Sequence, residues 1–178
     1  FEDKCTNCGL CIQRCPMKAV GMANGMVKID RSICNGCGEC VSTCLPNALK
    51  VVGEYMSVGE VVDVIKRDYP FYRRSGGGVT LSGGEPSVQP EFASGIFREC
   101  QTLGIHTAIE TTGYQKWEIF SKIIRFVDLV IYDIKHMDPK KHETFTGVPS
   151  ESILENARRI GYMNIPVLIR IPIIPGFT

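Results

Sequence analysis

A chain of 178 residues with 44% hydrophobic and 22% charged residues is an ordinary soluble mix, long enough for one full core or for a small domain joined to part of a larger one. Twenty Lys and Arg stand against nineteen Asp and Glu, so no basic excess points to a nucleic acid or a membrane surface as partner. The longest apolar run, "IPVLIRIPIIPGF", is broken by Arg170 and three prolines and cannot span a bilayer; with no charged stretch leading into an apolar one, the expected location is the cytoplasm.

Eight of the nine cysteines fall in the first 44 residues, and an odd total fits a disulfide framework poorly. In "CTNCGLCIQRCP", Cys5, Cys8, Cys11 and Cys15 are spaced x2, x2, x3 with Pro16 directly after the fourth, which is the spacing of bacterial ferredoxins. "CNGCGECVSTCLP" repeats it with Cys34, Cys37, Cys40 and Cys44, an offset of 29 that marks an internal duplication. CxxC pairs also serve as zinc hooks, but the doubled four-cysteine run predicts two [4Fe-4S] clusters. Three cysteines on a tight loop reach one cube and the fourth, held off by three residues, reaches the other. Cys5, Cys8, Cys11 and Cys44 are therefore expected to hold one cluster, and Cys34, Cys37, Cys40 and Cys15 the second. Gly9, Gly36 and Gly38 keep the loops small. The second run reads Cys44, Leu45, Pro46, so its proline has slipped by one, and a shifted turn is expected there.

The composition changes after residue 52. Residues 1–52 read as a small ferredoxin-like domain and 53–178 as an α/β region. A short strand at "LKVV" leads through Gly53 into an amphipathic helix with Val58, Val61, Val62 and Ile65 at helical spacing, Ser57 as N-cap and Glu60 three residues on. "GVTLSG" then reads as a strand, "PEFASGIFRECQTLG" as a helix ended by Gly104, "IHTAIET" as a strand and "KWEIFSKIIRFV" as a helix. "DLVIYDIK" is the next strand, "SESILENARRIG" a helix ended by Gly161, and "VLIRIPII" the last strand. This alternation predicts parallel βαβ units with right-handed crossovers.

Ligands in such folds gather at the carboxyl ends of strands. Those ends carry Ser82, Gly83, Gly84 and Glu85, then Glu110, Thr111 and Thr112, then Asp133 and Lys135, then Arg170. Elsewhere, Cys100 reads as a buried helix thiol, His106 and His142 as structural or exposed residues of a strand and a polar turn, and Trp117 with Ile119, Phe120 and Ile123 as helix core. His136, beside Lys135, reads first as part of a solvated strand end and second as a residue that could touch a substrate or partner.

"GGVTLSGGEP", "ETTGY", "DLVIYDIKHMD", "HETFTGV", "ILEN" and "IRIPIIPGF" together resemble the glycyl-radical enzyme activating enzymes of the radical S-adenosylmethionine superfamily, in the subfamily whose two-cluster ferredoxin insert precedes "SGGEP". The resemblance implies an incomplete parallel (β/α) partial barrel. It implies an oxidoreductase that cleaves S-adenosylmethionine reductively to raise a glycyl radical on a partner enzyme, with electrons from an external donor such as a ferredoxin or flavodoxin. Gly83, Gly84 and Glu85 would contact the amino group of S-adenosylmethionine; Asp133, Ile134 and Lys135 would line the cofactor, with Arg170 facing it. Glu110, Thr111 and Asp133 match a monovalent cation site, although relatives place an aspartate where this chain has Glu110. The family's catalytic cluster needs a CxxxCxxC loop, and no such spacing occurs, since Lys18 and Asn47 stand where a third cysteine would be required. The expectation is a middle portion of an activase, truncated at both ends, with two auxiliary clusters and much of the cofactor rim, the third cluster belonging to the full-length protein. The alternative is a two-cluster electron carrier fused to an α/β scaffold.

Overall fold

A computed structural model describes residues 1–176, so that Phe177 of the "IRIPIIPGF" segment lies outside the described residues. The chain divides into two compact units, Phe1–Tyr55 and Met56–Thr178, parting three residues beyond the change of composition at residue 52.

In the first unit a 3-10 turn at Glu2–Lys4 is followed by helix α1 (Leu10–Arg14), strands β1 (Val20–Ala23) and β2 (Met26–Ile29), and helix α2 (Glu39–Ser42). The sequence duplication is also a duplication of backbone. Asn7 and Gly36 have φ of 53° and 73°, Gly9 and Gly38 of 74° and 78°, Lys18 and Asn47 of 51° and 53°. These left-handed positions, costly for any residue with a Cβ, turn the chain sharply around each cysteine run. After the fourth cysteine of each run the same bond recurs: Ala19 N–H donates to Cys15 Sγ and Ala48 N–H to Cys44 Sγ, both at 3.2 Å. The displaced Pro46 therefore leaves this bond in place. Asn24 and Gly25, both left-handed, close the antiparallel β1/β2 hairpin in the manner its twist requires. The strand expected at 49–52 is a departure. It joins no ladder among the described residues, whereas its counterpart β1 pairs with β2.

The second unit begins with α3 (Val58–Lys66), where Ser57 and Glu60 form the reciprocal capping box that their spacing announces. Then come α4 (Tyr69–Ser75), β3 (Gly78–Leu81), a 3-10 turn at Pro86–Val88, α5 (Pro90–Thr102), β4 (His106–Thr111), α6 (Trp117–Ile124), β5 (Leu129–Asp133), α7 (Pro139–Thr146), α8 (Glu151–Gly161) and β6 (Val167–Arg170). The four strands are parallel in the order β3-β4-β5-β6. Since the order never reverses, right-handed crossovers place the intervening helices on one face, as in a (β/α) barrel and unlike a doubly wound sheet. The buried side chains agree. Val130 and Tyr132 of β5 share one core with Phe97 of α5, Phe120, Ile123 and Ile124 of α6, and Ile153 and Ile160 of α8. Helix α3 covers a smaller cluster, with Val58, Val61 and Ile65 against Ile96, Cys100 and Ile105. Strand β6 stops at Arg170, shorter than its apolar run, since Pro172 has no N–H to continue a ladder.

Candidate functional site

In the first unit all eight cysteines of the two runs are free thiols, and they sort into two cavities. One is lined by Cys5, Cys8, Cys11 and Cys44, the other by Cys15, Cys34, Cys37 and Cys40. Each run thus gives three sulfurs to one cavity and its last sulfur to the other, because the turn after α1 and the turn after α2 carry Cys15 and Cys44 away from their own loops. Burial pushes the Cys11 thiol up, with Cys44 and Cys8 adding to it. Cys40 is raised by burial and then by Cys15, Cys34 and Cys37. Among the described residues no three His, Cys, Asp or Glu side chains come together as they would around a single metal ion. The donor set, four soft thiols around an open space, fits a polynuclear iron–sulfur centre.

In the second unit the ladder register decides which rim residues meet. Asp133 is the Cα partner of Arg170, Glu110 that of Ile131, and Ile131 lies two residues before Asp133. Side chains alternate along a strand, so Glu110, Asp133 and Arg170 all project to the face without helices. There Arg170 Nε donates to Asp133 Oδ1 at 2.9 Å, its Nη2 reaches Asp133 Oδ2 at 3.2 Å, and Nη2 also bonds the Glu110 carboxylate. Lys135 Nζ donates to Asp133 Oδ2 at 3.0 Å. Burial pushes the Asp133 carboxyl up, but the hydrogen bonds from Arg170 and Lys135 outweigh it and hold the group below its ordinary value. The same pairing keeps the Arg170 guanidinium firmly protonated.

Glu85 is held differently. Its Oε1 accepts from Thr111 Oγ1 at 2.7 Å, Ser87 Oγ at 2.8 Å and Ser87 N–H at 3.2 Å, and its Oε2 from Thr112 Oγ1 at 2.9 Å and Thr112 N–H at 3.0 Å. The carboxylate therefore ties the segment after β3 to the end of β4. Gly83, Gly84, Glu85, Glu110, Thr111, Thr112 and Asp133 line a small cleft at this rim. Ile134 does not join them by its side chain, which is 8% exposed and packed in the core with Tyr132.

Sequence reading missed the polar side chains behind the cleft, Ser87, Gln115 and Asn156; the "ILEN" motif contains the last of these, but nothing local says where it points. His142, expected in a polar turn, is buried inside α7, where its Nδ1 bonds Val148 O at 2.9 Å. His106 lies exposed in β4 and Cys100 is buried in α5. Trp117 packs at the edge of the main core. His136 Nδ1 accepts the Asp138 N–H at 2.8 Å.

Residues 32–178, including the whole parallel sheet and its rim, match the radical SAM superfamily. The chain belongs to the radical SAM superfamily. Residues 2–45 match the 4Fe-4S dicluster domain, so iron–sulfur clusters and S-adenosylmethionine are the cofactor classes of this radical SAM chain. Its relatives include the isethionate sulfite-lyase activating enzyme of Nitratidesulfovibrio vulgaris, 42% identical over 96% of this chain and 57% of that protein. The choline trimethylamine-lyase activating enzyme of Oleidesulfovibrio alaskensis is 42% identical over 98% of this chain and 57% of its own length. A crystal structure of a domain of pyruvate-formate lyase-activating enzyme from Bacteroides vulgatus superimposes with a TM-score of 0.52 at 44% identity, covering 57% of this chain and 63% of that one. The chain thus spans a little over half the length of the curated relatives it matches. Among the described residues no helix is long and apolar enough to cross a membrane.

Proposed function

We propose that this chain is the cluster-bearing and cofactor-rim portion of a glycyl-radical enzyme activating enzyme. Its Cys5, Cys8, Cys11 and Cys44 would hold one auxiliary [4Fe-4S] cluster and Cys34, Cys37, Cys40 and Cys15 a second. The observation that carries this reading is the crossed partition of cysteines between two cavities in a chain whose strand ends also assemble a rim of both charges. With S-adenosylmethionine and the catalytic cluster of the full protein bound, the chemistry supplied would be reductive cleavage of the sulfonium to raise a glycyl radical on the partner enzyme.

The chain's own residues would recognise the amino-acid end of that cofactor, a zwitterion that needs donors and acceptors side by side. Gly83 and Gly84 offer main-chain groups unobstructed by side chains, Glu85 offers negative charge to the ammonium, and Lys135 and Arg170 offer positive charge to the carboxylate. Asp133, Glu110 and Thr111 would hold a monovalent cation beside it. Electrons would come from an external carrier, a ferredoxin or flavodoxin, and the auxiliary clusters would pass them inward. A plain electron carrier has no use for such a rim.

The test has two readouts. Anaerobically prepared chain should carry about eight irons and eight sulfides, where zinc without sulfide would refute the cluster assignment. Calorimetric titration with S-adenosylmethionine should show binding that Glu110→Ala or Lys135→Ala weakens; binding unaffected by either substitution would remove the rim from the cofactor site.

A further inference from the structure

Asn156 lies on α8 with only 3% of its surface exposed, and its Nδ2 donates to two main-chain carbonyls, Gly113 O at 2.9 Å and Gln115 O at 2.7 Å. An amide is the short side chain that can give two N–H groups from one atom; aspartate at the same place gives none. The loop so held, residues 113–115, directly follows the two threonines that bind Glu85. Gly113 N–H donates to Thr111 Oγ1 at 2.9 Å, and that hydroxyl donates onward to Glu85 Oε1 at 2.7 Å. From the other end of the loop, Gln115 Nε2 donates to Ser87 O at 3.0 Å, and Ser87 binds Glu85 through both its amide and its hydroxyl. Every donor on the Glu85 carboxylate therefore belongs to a segment that the 113–115 loop touches. A second link fixes the helix itself, since Tyr132 Oη donates to Ile153 O at 2.6 Å, one turn before Asn156.

We infer that Asn156 is a positioning residue for the cofactor rim, holding the 113–115 loop so that Thr111, Thr112 and Ser87 together fix the Glu85 carboxylate beside the cleft. The inference rests on the cofactor-rim reading given above for its purpose, while the linkage rests on the hydrogen bonds alone. Removing the amide leaves the part-buried Gln115 carbonyl without its donor and the Gly113 carbonyl with the Gln115 N–H alone, and the loop is then free to shift.

The experiment is amide hydrogen exchange by NMR on the 178-residue chain, read together with calorimetric titration of S-adenosylmethionine. With Asn156→Ala, exchange at Thr112 and Gly113 should accelerate about tenfold, the amide of Val130 in mid-sheet should keep its rate, and affinity for S-adenosylmethionine should fall about tenfold. With Gln115→Ala, which spares the carbonyl that Asn156 binds, acceleration should be confined to Ser87 and to Lys116, whose N–H loses the Gln115 side-chain oxygen at 2.9 Å. Unchanged rates at Thr112 and Gly113, or equal acceleration at Val130, would overturn the inference. If Asn156→Ala does not fold, Asn156→Ser decides, since a hydroxyl donates at most one hydrogen bond, and unchanged rates at Thr112 and Gly113 overturn the inference. Absence of binding by the unsubstituted chain would count against the cofactor reading, while the exchange pattern would still judge the linkage.

Discussion

Arg170 and Glu110 stand sixty residues apart in the chain and on strands separated by β5, yet their side chains meet, with Asp133 bound to the same guanidinium. Because the Asp133 carboxyl is held below its ordinary value, its stabilising contribution is present at neutral pH and is lost as pH falls through the lowered value. Arg170→Met should move the Asp133 carboxyl upward and start the acid loss at higher pH, as carboxyl NMR during a pH titration would record. The cost in stability at pH 7 should be small, since the guanidinium is exposed and screened by solvent. No upward movement of Asp133 would mean that the pairing does not persist in solution.

Two glycines near the rim should respond oppositely to an added methyl group. At Gly113 a Cβ would lie 1.7 Å from Tyr132 Oη on a backbone with φ of 68°, so Gly113→Ala should cost about 2–4 kcal/mol, seen as a lowered Tm. At Gly84 nothing lies within 4 Å and the backbone makes no left-handed turn. Gly84→Ala should keep stability within about 0.5 kcal/mol while weakening S-adenosylmethionine binding, because the space it fills is the space a ligand would enter.

The crossed cavities predict which cysteine substitutions share a phenotype. In anaerobically reconstituted, dithionite-reduced chain, Cys15→Ser should perturb the same EPR signal as Cys34→Ser, and Cys44→Ser the same signal as Cys5→Ser. A match of Cys15→Ser with Cys5→Ser would show that each run keeps its own fourth ligand.

Lacking any CxxxCxxC spacing, the 178-residue chain should release no 5′-deoxyadenosine from S-adenosylmethionine even with a strong reductant. Chromatographic detection of that product would place the catalytic cluster among the cysteines described here.

Much of this architecture could be read from local pattern. Val58, Val61 and Ile65 at helical spacing do pack together, and the four strands fall where the apolar runs end in polar residues. Helices α4 and α7 were not legible in the same way. Pro70 and Pro139 look like breaks, but a proline in the first turn removes only an N–H that has no partner there. For α7 the signal existed, with Asp138 capping the Lys141 N–H and left-handed Gly147 ending the helix. The engagement of Glu85 could not have been read locally, because its partners Thr111 and Thr112 lie 26 and 27 residues away and only the sheet brings them alongside. The unpaired 49–52 segment fails for a like reason: a strand needs a neighbour, and sequence period alone does not supply one.

The exchange of the fourth cysteine between the two cysteine runs makes the first unit an interlock. A single run, detached from its copy, would present three sulfurs on one side and a stray fourth on the other, and could close a four-cysteine cavity only by trading that fourth with a second molecule of itself. Emptying either cavity should then loosen the turn that delivers a sulfur to the other, so the two sites should fill and collapse in concert.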